Sequence, residues 1–261
     1  MNQTTRVSIT RFPRNPGSEA ADTVVVEEPL EIRVGQMPVS VTMRTPGDDF
    51  DLAAGFLLTE SIVPDADQIE TVRHWGSPNV VRVDLRPGAT LDLQRIKRNF
   101  RSTSSCGVCG KVSIDALRVH SCAVKSRFTI AEAVVHNLSS AVRREQKSFE
   151  ETGAVHAAAI FNAEGTILRL REDIGRHNAV DKVIGSLLRE GASLSDTLLF
   201  VSGRSSFEIL QKAAVARIPM VAAVGAPSSL AIELSEEFGI TLLGFVRDGR
   251  FNVYSGAERI G

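Results

Sequence analysis

The first part of the chain alternates polar and apolar residues with the period of a β-strand. Residues 24–44 follow this pattern on both sides of Gly35, which predicts a half-buried hairpin. A helix is expected next, because Leu52 and Phe56 are four residues apart and fall on one helical face. A further short strand is predicted at residues 80–85. Strands therefore dominate the N-terminal part of the predicted fold.

The second half of the chain predicts strands alternating with helices. Thr129–Glu132 has the Thr-x-x-Glu spacing of a capping box, which marks the start of a helix. Residues 155–161 and 166–170 are expected to pair as a hairpin. Beyond them, apolar strands and helices follow one another at residues 197–201, 205–217, 220–224, 228–238 and 240–246. This rhythm predicts a partly parallel sheet with helices on its faces.

Composition and charge narrow the function only by exclusion. The 261 residues are 43% hydrophobic and 23% charged, as in a folded protein with one large core or two smaller ones. A net charge of −1 provides no global basic field that would attract nucleic acid or an anionic membrane. The polar start lacks a secretory h-region, and no apolar run approaches the roughly 18 residues of a membrane span. We therefore expect a cytoplasmic protein with reduced thiols.

Two of the three cysteines, Cys106 and Cys109, form a Cys-x-x-Cys motif among Ser, Thr and Gly residues, which predicts an exposed loop. The spacing is compatible with half of a zinc site, a thioredoxin-like dithiol or a nucleophilic thiol. Zinc needs about four ligands, and only Cys122 and five scattered histidines could complete the set, so no metal site is predicted. Arg101 and Lys111 favour the nucleophilic thiol, because nearby cations lower a thiol pKa.

Polar turns after the predicted strands form a second candidate site. They supply small residues, hydroxyls and arginines, at residues 172–178, 201–206, 224–229 and 247–250. Ligands of α/β sheets bind beyond the carboxyl ends of strands, so these turns can together hold a phosphorylated ligand. Ser205–Glu208 is a second capping box, whose helix N-terminus suits an anion. His177 can orient a ligand, act as an acid–base group or be purely structural.

One ordered combination of motifs is far more specific than any of these features. The chain carries EPLEIRV at 28–34, TPGDDFDLAAGFLLTE at 45–60, SSCGVCGK at 104–111, HAA at 156–158, EDIGRHNAVDK at 172–182, SGRSSFE at 202–208 and FNVYS at 251–255. Together these motifs closely resemble the FdhD/NarQ family, the formate dehydrogenase accessory sulfurtransferases. The resemblance extends from about Val24 to Tyr254.

The resemblance implies an α/β fold with a cytidine-deaminase-like C-terminal domain and a smaller strand-rich N-terminal domain, and it implies a homodimer. On the sequence, these units correspond to a flexible tail over residues 1–20, a strand-rich domain over 21–125 that ends in the cysteine loop, and the deaminase-like domain over 126–261. A zinc deaminase needs His-x-Glu, whereas residues 156–158 lack the glutamate, so deaminase activity is expected to be lost.

The resemblance further implies a sulfur carrier protein that transfers persulfide sulfur from a cysteine desulfurase to Mo-bis(molybdopterin guanine dinucleotide), the cofactor destined for formate dehydrogenase. Cys106 would carry the persulfide, and Cys109 would act as a relay or resolving thiol. It also implies guanine-nucleotide binding, for which GDP can stand in. The expected cofactor-binding residues are Phe245, Val246, Arg247, Asp248, Gly249 and Arg250, joined by His177, Ser202, Gly203 and Arg204.

Two hypotheses from other functional classes stay open at this stage. A non-catalytic chaperone would bind and present the cofactor without chemistry at the cysteines. A zinc-stabilised regulatory module would contain stoichiometric zinc and would unfold on chelation.

Overall fold

Three β-sheets and the helices packed on them make up the structure. The residues that the computed structural model describes are 2–12, 18–92 and 123–261. The smallest sheet is an antiparallel pair of strands, β1 (Thr4–Thr10) and β2 (Glu19–Val25). The predicted tail over residues 1–20 contains β1 and the start of β2, and its flexibility stays a prediction. Both strands are mostly exposed, so little apolar alternation marks them in the sequence.

A four-stranded sheet forms the core of the N-terminal region. Its strands are β3 (Glu28–Val34), β4 (Met37–Arg44), β5 (Ile69–Trp75) and β6 (Ser77–Leu85). They lie in the order β4-β3-β6-β5, with β3 and β6 parallel and the other pairs antiparallel. The predicted hairpin around Gly35 is confirmed as β3–β4, and the predicted strand at 80–85 is confirmed as part of β6. β5 was not expected, because most of its side chains are exposed.

Helix α1 (Asp49–Thr59) links this sheet to the rest of the molecule. Leu52 and Leu57 pack with the four-stranded sheet, as the helical spacing predicts. Leu58 instead belongs to the core of the C-terminal region. The helix therefore packs against two different apolar cores. After it, a 3-10 turn (Ala66–Gln68) leads into β5.

A six-stranded sheet organises the C-terminal region. Its strands are β7 (His156–Phe161), β8 (Ile167–Asp173), β9 (Leu198–Val201), β10 (Met220–Ala223), β11 (Thr241–Arg247) and β12 (Arg250–Ser255). They lie in the order β12-β11-β10-β9-β7-β8. β9, β10 and β11 are parallel, whereas β7, β8 and β12 run antiparallel to their neighbours. The predicted hairpin and the predicted partly parallel sheet are both confirmed.

The helices cover both faces of this sheet. They are α2 (Glu132–Val135), α3 (Leu138–Glu145), α4 (Lys147–Thr152), α5 (Arg176–Arg189), α6 (Phe207–Val215) and α7 (Ser229–Phe238). The capping box predicted at Thr129–Glu132 is wrong, because α2 begins after Ala131 and no side chain caps it. Among the helices in the described ranges, none has the length and apolar character to cross a membrane.

Successive side chains of the central strands face two different apolar cores in turn. Leu199 and Val201 of β9 face the core formed with α5, α6 and α7. Leu198 and Phe200 of the same strand face the second core, which contains α2 and α3 residues. Strands buried on both faces read as continuous apolar runs, as they do here. The expected α/β class is therefore confirmed, as helices on both faces of a mixed sheet.

Two glycines allow α1 and α5 to cross at very short range. A Cβ atom on Gly55 would lie 1.9 Å from the carbonyl oxygen of Asp181, and one on Gly185 would lie 2.0 Å from that of Asp51. No side chain fits such gaps, so both positions require glycine. This crossing fixes how the N-terminal region sits on the C-terminal sheet.

Candidate functional site

The turns singled out in the sequence lie at one edge of the six-stranded sheet. The parallel strands β9, β10 and β11 all end there. Because β7 is antiparallel to β9, and β8 to β7, the start of β7 and the end of β8 reach the same edge. We call it the carboxyl edge. The structure thus brings together residues 172–178, 201–206, 224–229 and 247–250, and ligand binding by them stays a prediction.

Backbone hydrogen bonds hold these turns side by side. Ser202 N–H donates to the carbonyl of Ala157 (2.9 Å), and Ala157 N–H donates to Ser202 Oγ (2.9 Å). Gly225 N–H donates to Gly203 O (2.9 Å), and Phe245 N–H donates to Gly225 O (3.2 Å). Three of the predicted binding residues, Ser202, Gly203 and Phe245, are therefore parts of one rigid, hydrogen-bonded row.

His156 occupies the start of β7 within this row. It pairs in register with Asp173 on β8, and a Cβ atom on Gly203 would lie 3.6 Å from its Nδ1. Burial lowers the pKa of His156 below its ordinary value; the positive charges of Arg176 and His177 lower it further, and Asp173 opposes them. A neutral imidazole that can accept or donate a hydrogen bond is therefore favoured at this position.

His177, the histidine that the sequence predicts for this site, lies against Glu208. Its Nε2 is 2.9 Å from Glu208 Oε2, and the two side chains are only 16% and 12% exposed. This contact lacks hydrogen-bond geometry, so Nε2 has no hydrogen-bond partner among the described residues. The capping box predicted at Ser205–Glu208 is therefore wrong: Ser206 is the N-cap, no side chain caps α6, and Glu208 turns to the histidine.

A second contact one helical turn further on shows how α5 and α6 are arranged. Lys212 Nζ is 2.9 Å from Asp181 Oδ1. The pairs His177–Glu208 and Asp181–Lys212 are both spaced by four residues in the same direction along each helix. α5 and α6 therefore run side by side in the same sense, and both N-termini open onto the carboxyl edge.

The last predicted segment forms the tip of the β11–β12 hairpin. Asp248 and Gly249 have φ values of 54° and 67°, the two left-handed residues of a type I′ turn, for which Asp-Gly is a favoured pair. Arg247 and Arg250 flank the turn and are exposed. Phe245 also has a positive φ, 54°, an arrangement that costs a bulky residue about 1 kcal/mol. The turn geometry thus accounts for the Asp-Gly pair, and Arg247 and Arg250 face solvent.

A separate cleft of about 310 Å³ lies in the N-terminal region, away from the predicted site. Asp51 lines it, and its carboxylate binds both Arg171 (2.8 Å) and Arg189 (2.6 Å). These pairs join α1 to β8 and α5. The carboxylate of Asp51 is therefore already used to connect the two regions.

The predicted catalytic residues, Cys106 and Cys109, lie outside the described residues, as does Cys122. Their position relative to the carboxyl edge stays a prediction. In the ranges 2–12, 18–92 and 123–261, no three His, Cys, Asp or Glu side chains are grouped as a metal would require.

The comparison with known proteins adds a direct assignment. The model of the FdhD/NarQ family matches residues 25–261. This chain belongs to the FdhD/NarQ family. A sulfur carrier protein FdhD from Mycolicibacterium paratuberculosis is 47% identical, with all of both chains covered. The sulfur carrier protein FdhD from Streptomyces avermitilis is 46% identical over 98% of this chain and 95% of the relative. The family resemblance drawn from the motifs is thus confirmed.

A solved structure shows the same fold over the full length. It is a crystal structure assigned as a formate dehydrogenase accessory protein from Desulfotalea psychrophila, with a TM-score of 0.82, 24% identity and complete coverage of both chains. At this level of identity the likeness concerns the fold alone.

Several motif residues that mark the FdhD/NarQ resemblance serve the contact between the two regions. Lys182 Nζ is 2.7 Å from Asp173 Oδ2 with both side chains fully buried, and it donates to Thr45 O (2.9 Å). Asn178 donates to Met43 O (2.8 Å). These contacts tie α5 and β8 to the end of β4 and explain why such charged residues tolerate burial.

The sequence placed Arg176 within the predicted turn 172–178 without singling it out, and it gave no indication that His156 and Glu208 belong to the carboxyl edge. One signal was available: α5 opens with Arg-His where helices usually carry acidic residues. The His177–Glu208 pairing had no such signal, because the two residues are on different helices.

Proposed function

We propose that this protein is a sulfur carrier that receives persulfide sulfur from a cysteine desulfurase and delivers it to Mo-bis(molybdopterin guanine dinucleotide) before formate dehydrogenase takes up that cofactor. Its FdhD relatives carry the name sulfur carrier protein. The observation that carries the proposal is the convergence of the Ser202–Ser206, Val224–Ser228 and Phe245–Arg250 turns on one edge. Such an edge of an α/β sheet suits a nucleotide-bearing cargo.

Sulfur loading requires one thiolate. Cys106 Sγ attacks the outer sulfur of the desulfurase persulfide, the new S–S bond forms on Cys106, and the desulfurase cysteine leaves as a thiolate. Electrons balance, because the sulfane sulfur only changes its carrier. Arg101 and Lys111 are close in sequence and favour the thiolate form of the acceptor.

Sulfur release uses the second thiol. Cys109 Sγ attacks Cys106 Sγ, a disulfide forms, and the outer sulfur leaves as hydrosulfide toward the molybdenum of the cargo. The sulfane sulfur gains two electrons, the two thiols lose them, and cellular thiols reduce the resulting disulfide. Delivery without Cys109 is the alternative that the experiments below distinguish: a cellular thiol attacks Cys106 Sγ in its place, a mixed disulfide forms, and the outer sulfur leaves as hydrosulfide.

The cargo is placed on the carboxyl edge of the cytidine-deaminase-like domain. Arg247 and Arg250, at the exposed hairpin tip, are suited to phosphate oxygens because guanidinium groups donate in pairs. Phe245 offers a ring beside them. A cytoplasmic homodimer that presents two such edges completes the proposal, with GDP as a mimic of each nucleotide half.

The decisive experiment is mass analysis after incubation with a cysteine desulfurase and free cysteine. We expect a gain of one sulfur atom on the peptide that contains Cys106, reversed by a thiol reductant. The matched control is Cys122→Ala, which should load like the unmodified protein, whereas Cys106→Ala should not. Absence of the added sulfur from both Cys106 and Cys109 would refute the proposal.

A cellular test separates the carrier from a chaperone that only presents the cofactor. Cys106→Ala should retain GDP binding and yet fail to support formate dehydrogenase activity. Full activity with this variant would favour the chaperone. Cys109→Ala distinguishes the two release routes: direct delivery leaves activity intact, whereas the disulfide route abolishes it.

A further inference from the structure

The first turn of α5 carries positive charge where helices usually carry negative charge. α5 has 14 residues, begins Arg176-His177, has no acidic residue in its first turn and has Gly175 as an N-cap without a side chain. The N-terminus of a helix holds about half a positive elementary charge. Two basic residues there are unfavourable unless an anion compensates them. This is the first sign that the carboxyl edge is built for an anion.

The N-terminus of α6, which lies beside it, has hydroxyls without partners. Ser205 is 1% exposed, and neither its Oγ nor that of Ser206 has a hydrogen-bond partner in the described part of the chain. Both residues immediately precede Phe207, the first helical residue, so their hydroxyls stay at the helix N-terminus in any rotamer. A buried hydroxyl without a partner is unfavourable, so a missing hydrogen-bond partner is indicated.

The unpartnered atoms of this region share one property. Within residues 2–12, 18–92 and 123–261, nine buried side-chain N or O atoms lack a partner, and five of them belong to α5, α6 or the turn before α6. These five are Arg176 Nε, His177 Nε2, Ser205 Oγ, Ser206 Oγ and Gln211 Nε2. All five can donate a hydrogen bond. His177 Nε2 already faces Glu208 Oε2 at 2.9 Å. A ligand that satisfies Arg176 Nε must be an acceptor, and the hydroxyls of Ser205 and Ser206 can donate to the same group.

The carboxylates nearby do not fill this role. Asp173 is engaged by Lys182 and by the backbone N–H groups of Thr45 and Gly175. Glu208 Oε2 faces His177 Nε2 at 2.9 Å. Glu208 also lies in the first turn of α6, whereas the first turn of α5 has no acidic residue, so the charge of Arg176 and of the α5 N-terminus is left over, with Arg204 exposed at the rim.

We propose that a phosphate group binds between the N-termini of α5 and α6, held by Arg176, Ser205 and Ser206. This inference rests on the proposed function and deepens it, because it assigns the diphosphate of the nucleotide-bearing cargo to this position. The hairpin tip with Arg247 and Arg250 then lies at the other side of the ligand, beyond the Gly203–Gly225–Phe245 row. We call the new position the α5/α6 phosphate site.

The test is calorimetry with pyrophosphate and with GDP on the full chain. Arg176→Gln removes a charge-assisted hydrogen bond and should weaken binding of both by about 10- to 100-fold. The matched control is Arg217→Gln, which makes the same charge change at an exposed residue just past the C-terminal end of α6 and should bind like the unmodified protein. Unchanged pyrophosphate affinity in Arg176→Gln would overturn the inference.

A second variant guards against misfolding of the first. Ser205→Ala removes only an unpartnered hydroxyl, so the fold should persist, and we expect pyrophosphate binding to weaken by about 5- to 10-fold. Failure of the unmodified protein to bind pyrophosphate would show that water satisfies these donors and would also overturn the inference. Persulfide formation on Cys106, measured on the same preparations, reports the proposed function independently, so either idea can fail alone.

Discussion

The α1–α5 contact and the carboxyl edge use neighbouring residues of one motif in opposite ways. In EDIGRHNAVDK, Asp173 and Lys182 form a fully buried ion pair, and both side chains also bind Thr45 of the N-terminal region. The other carboxylate oxygen of Asp173 accepts from Gly175 and Asn178. Arg176 and His177, between them, keep donors without hydrogen-bond partners in the described residues. Complete satisfaction indicates a structural role, whereas a concentration of unsatisfied donors indicates a place for a ligand. Within these eleven residues, Asp173 and Lys182 therefore hold the fold together, whereas Arg176 and His177 are candidates for ligand binding.

Lys212 is a second buried charge with several hydrogen-bond partners. Its Nζ contacts Thr59, Glu60 and Asp181, all within 3.0 Å. Burial alone would lower the pKa of Lys212, but the carboxylates of Asp181 and Glu60 outweigh it and raise that pKa above its ordinary value. The ammonium group thus stays charged inside the molecule and joins α6 to both α1 and α5.

The largest expected effect is a loss of stability at the crossing of α1 and α5. Gly185→Ala places a Cβ atom 2.0 Å from the carbonyl oxygen of Asp51, so the helices must separate, and we expect a loss of more than about 3 kcal/mol in the free energy of unfolding. Urea denaturation measures it. Gly203→Ala is the control at the carboxyl edge, where the Cβ has an ordinary 3.6 Å contact and should cost less than about 1 kcal/mol. Equal losses in the two variants would contradict the distinction.

The next effect concerns the buried ion pair. Lys182→Met leaves Asp173 buried without its counter-ion and should cost about 3–5 kcal/mol in unfolding free energy. Glu190→Gln breaks the Arg169–Glu190 pair, whose side chains are 28% and 57% exposed, and should cost less than about 1 kcal/mol. A loss below 1 kcal/mol in Lys182→Met would mean that the pair does not hold the two regions together.

The smallest expected effect is on the pH dependence of stability, through His156 at the carboxyl edge. The folded pKa of His156 lies below its unfolded value, so below about pH 6.5 the unfolded state binds more protons and stability falls as the solution is acidified. His156→Gln should remove part of this fall between pH 7.5 and pH 5.5, in the same urea titrations. Identical pH dependence in the variant and the unmodified protein would show that His156 does not contribute.

Much of the fold followed from the sequence. The β3–β4 hairpin, α1, the β7–β8 hairpin and the β9-α6-β10-α7-β11 succession were all predicted, because buried elements carry their period in apolar side chains. β1 and β5 were missed, since both are mostly exposed and bury too little to leave such a period. Both capping boxes were wrong. Ala131, and not Thr129, is the N-cap of α2, and local spacing cannot show that Glu208 faces a residue of another helix.

By itself, the sequence determined the family, the α/β class and the turns that converge at one edge, since these depend on local order and apolar period. Only the tertiary structure decided what individual residues of those motifs do. Whether a charged residue such as Asp173 is paired, or a donor such as Arg176 is left without an acceptor, depends on elements distant in the chain that pack beside it. Pairing across helices is long-range, and one-dimensional spacing does not encode it.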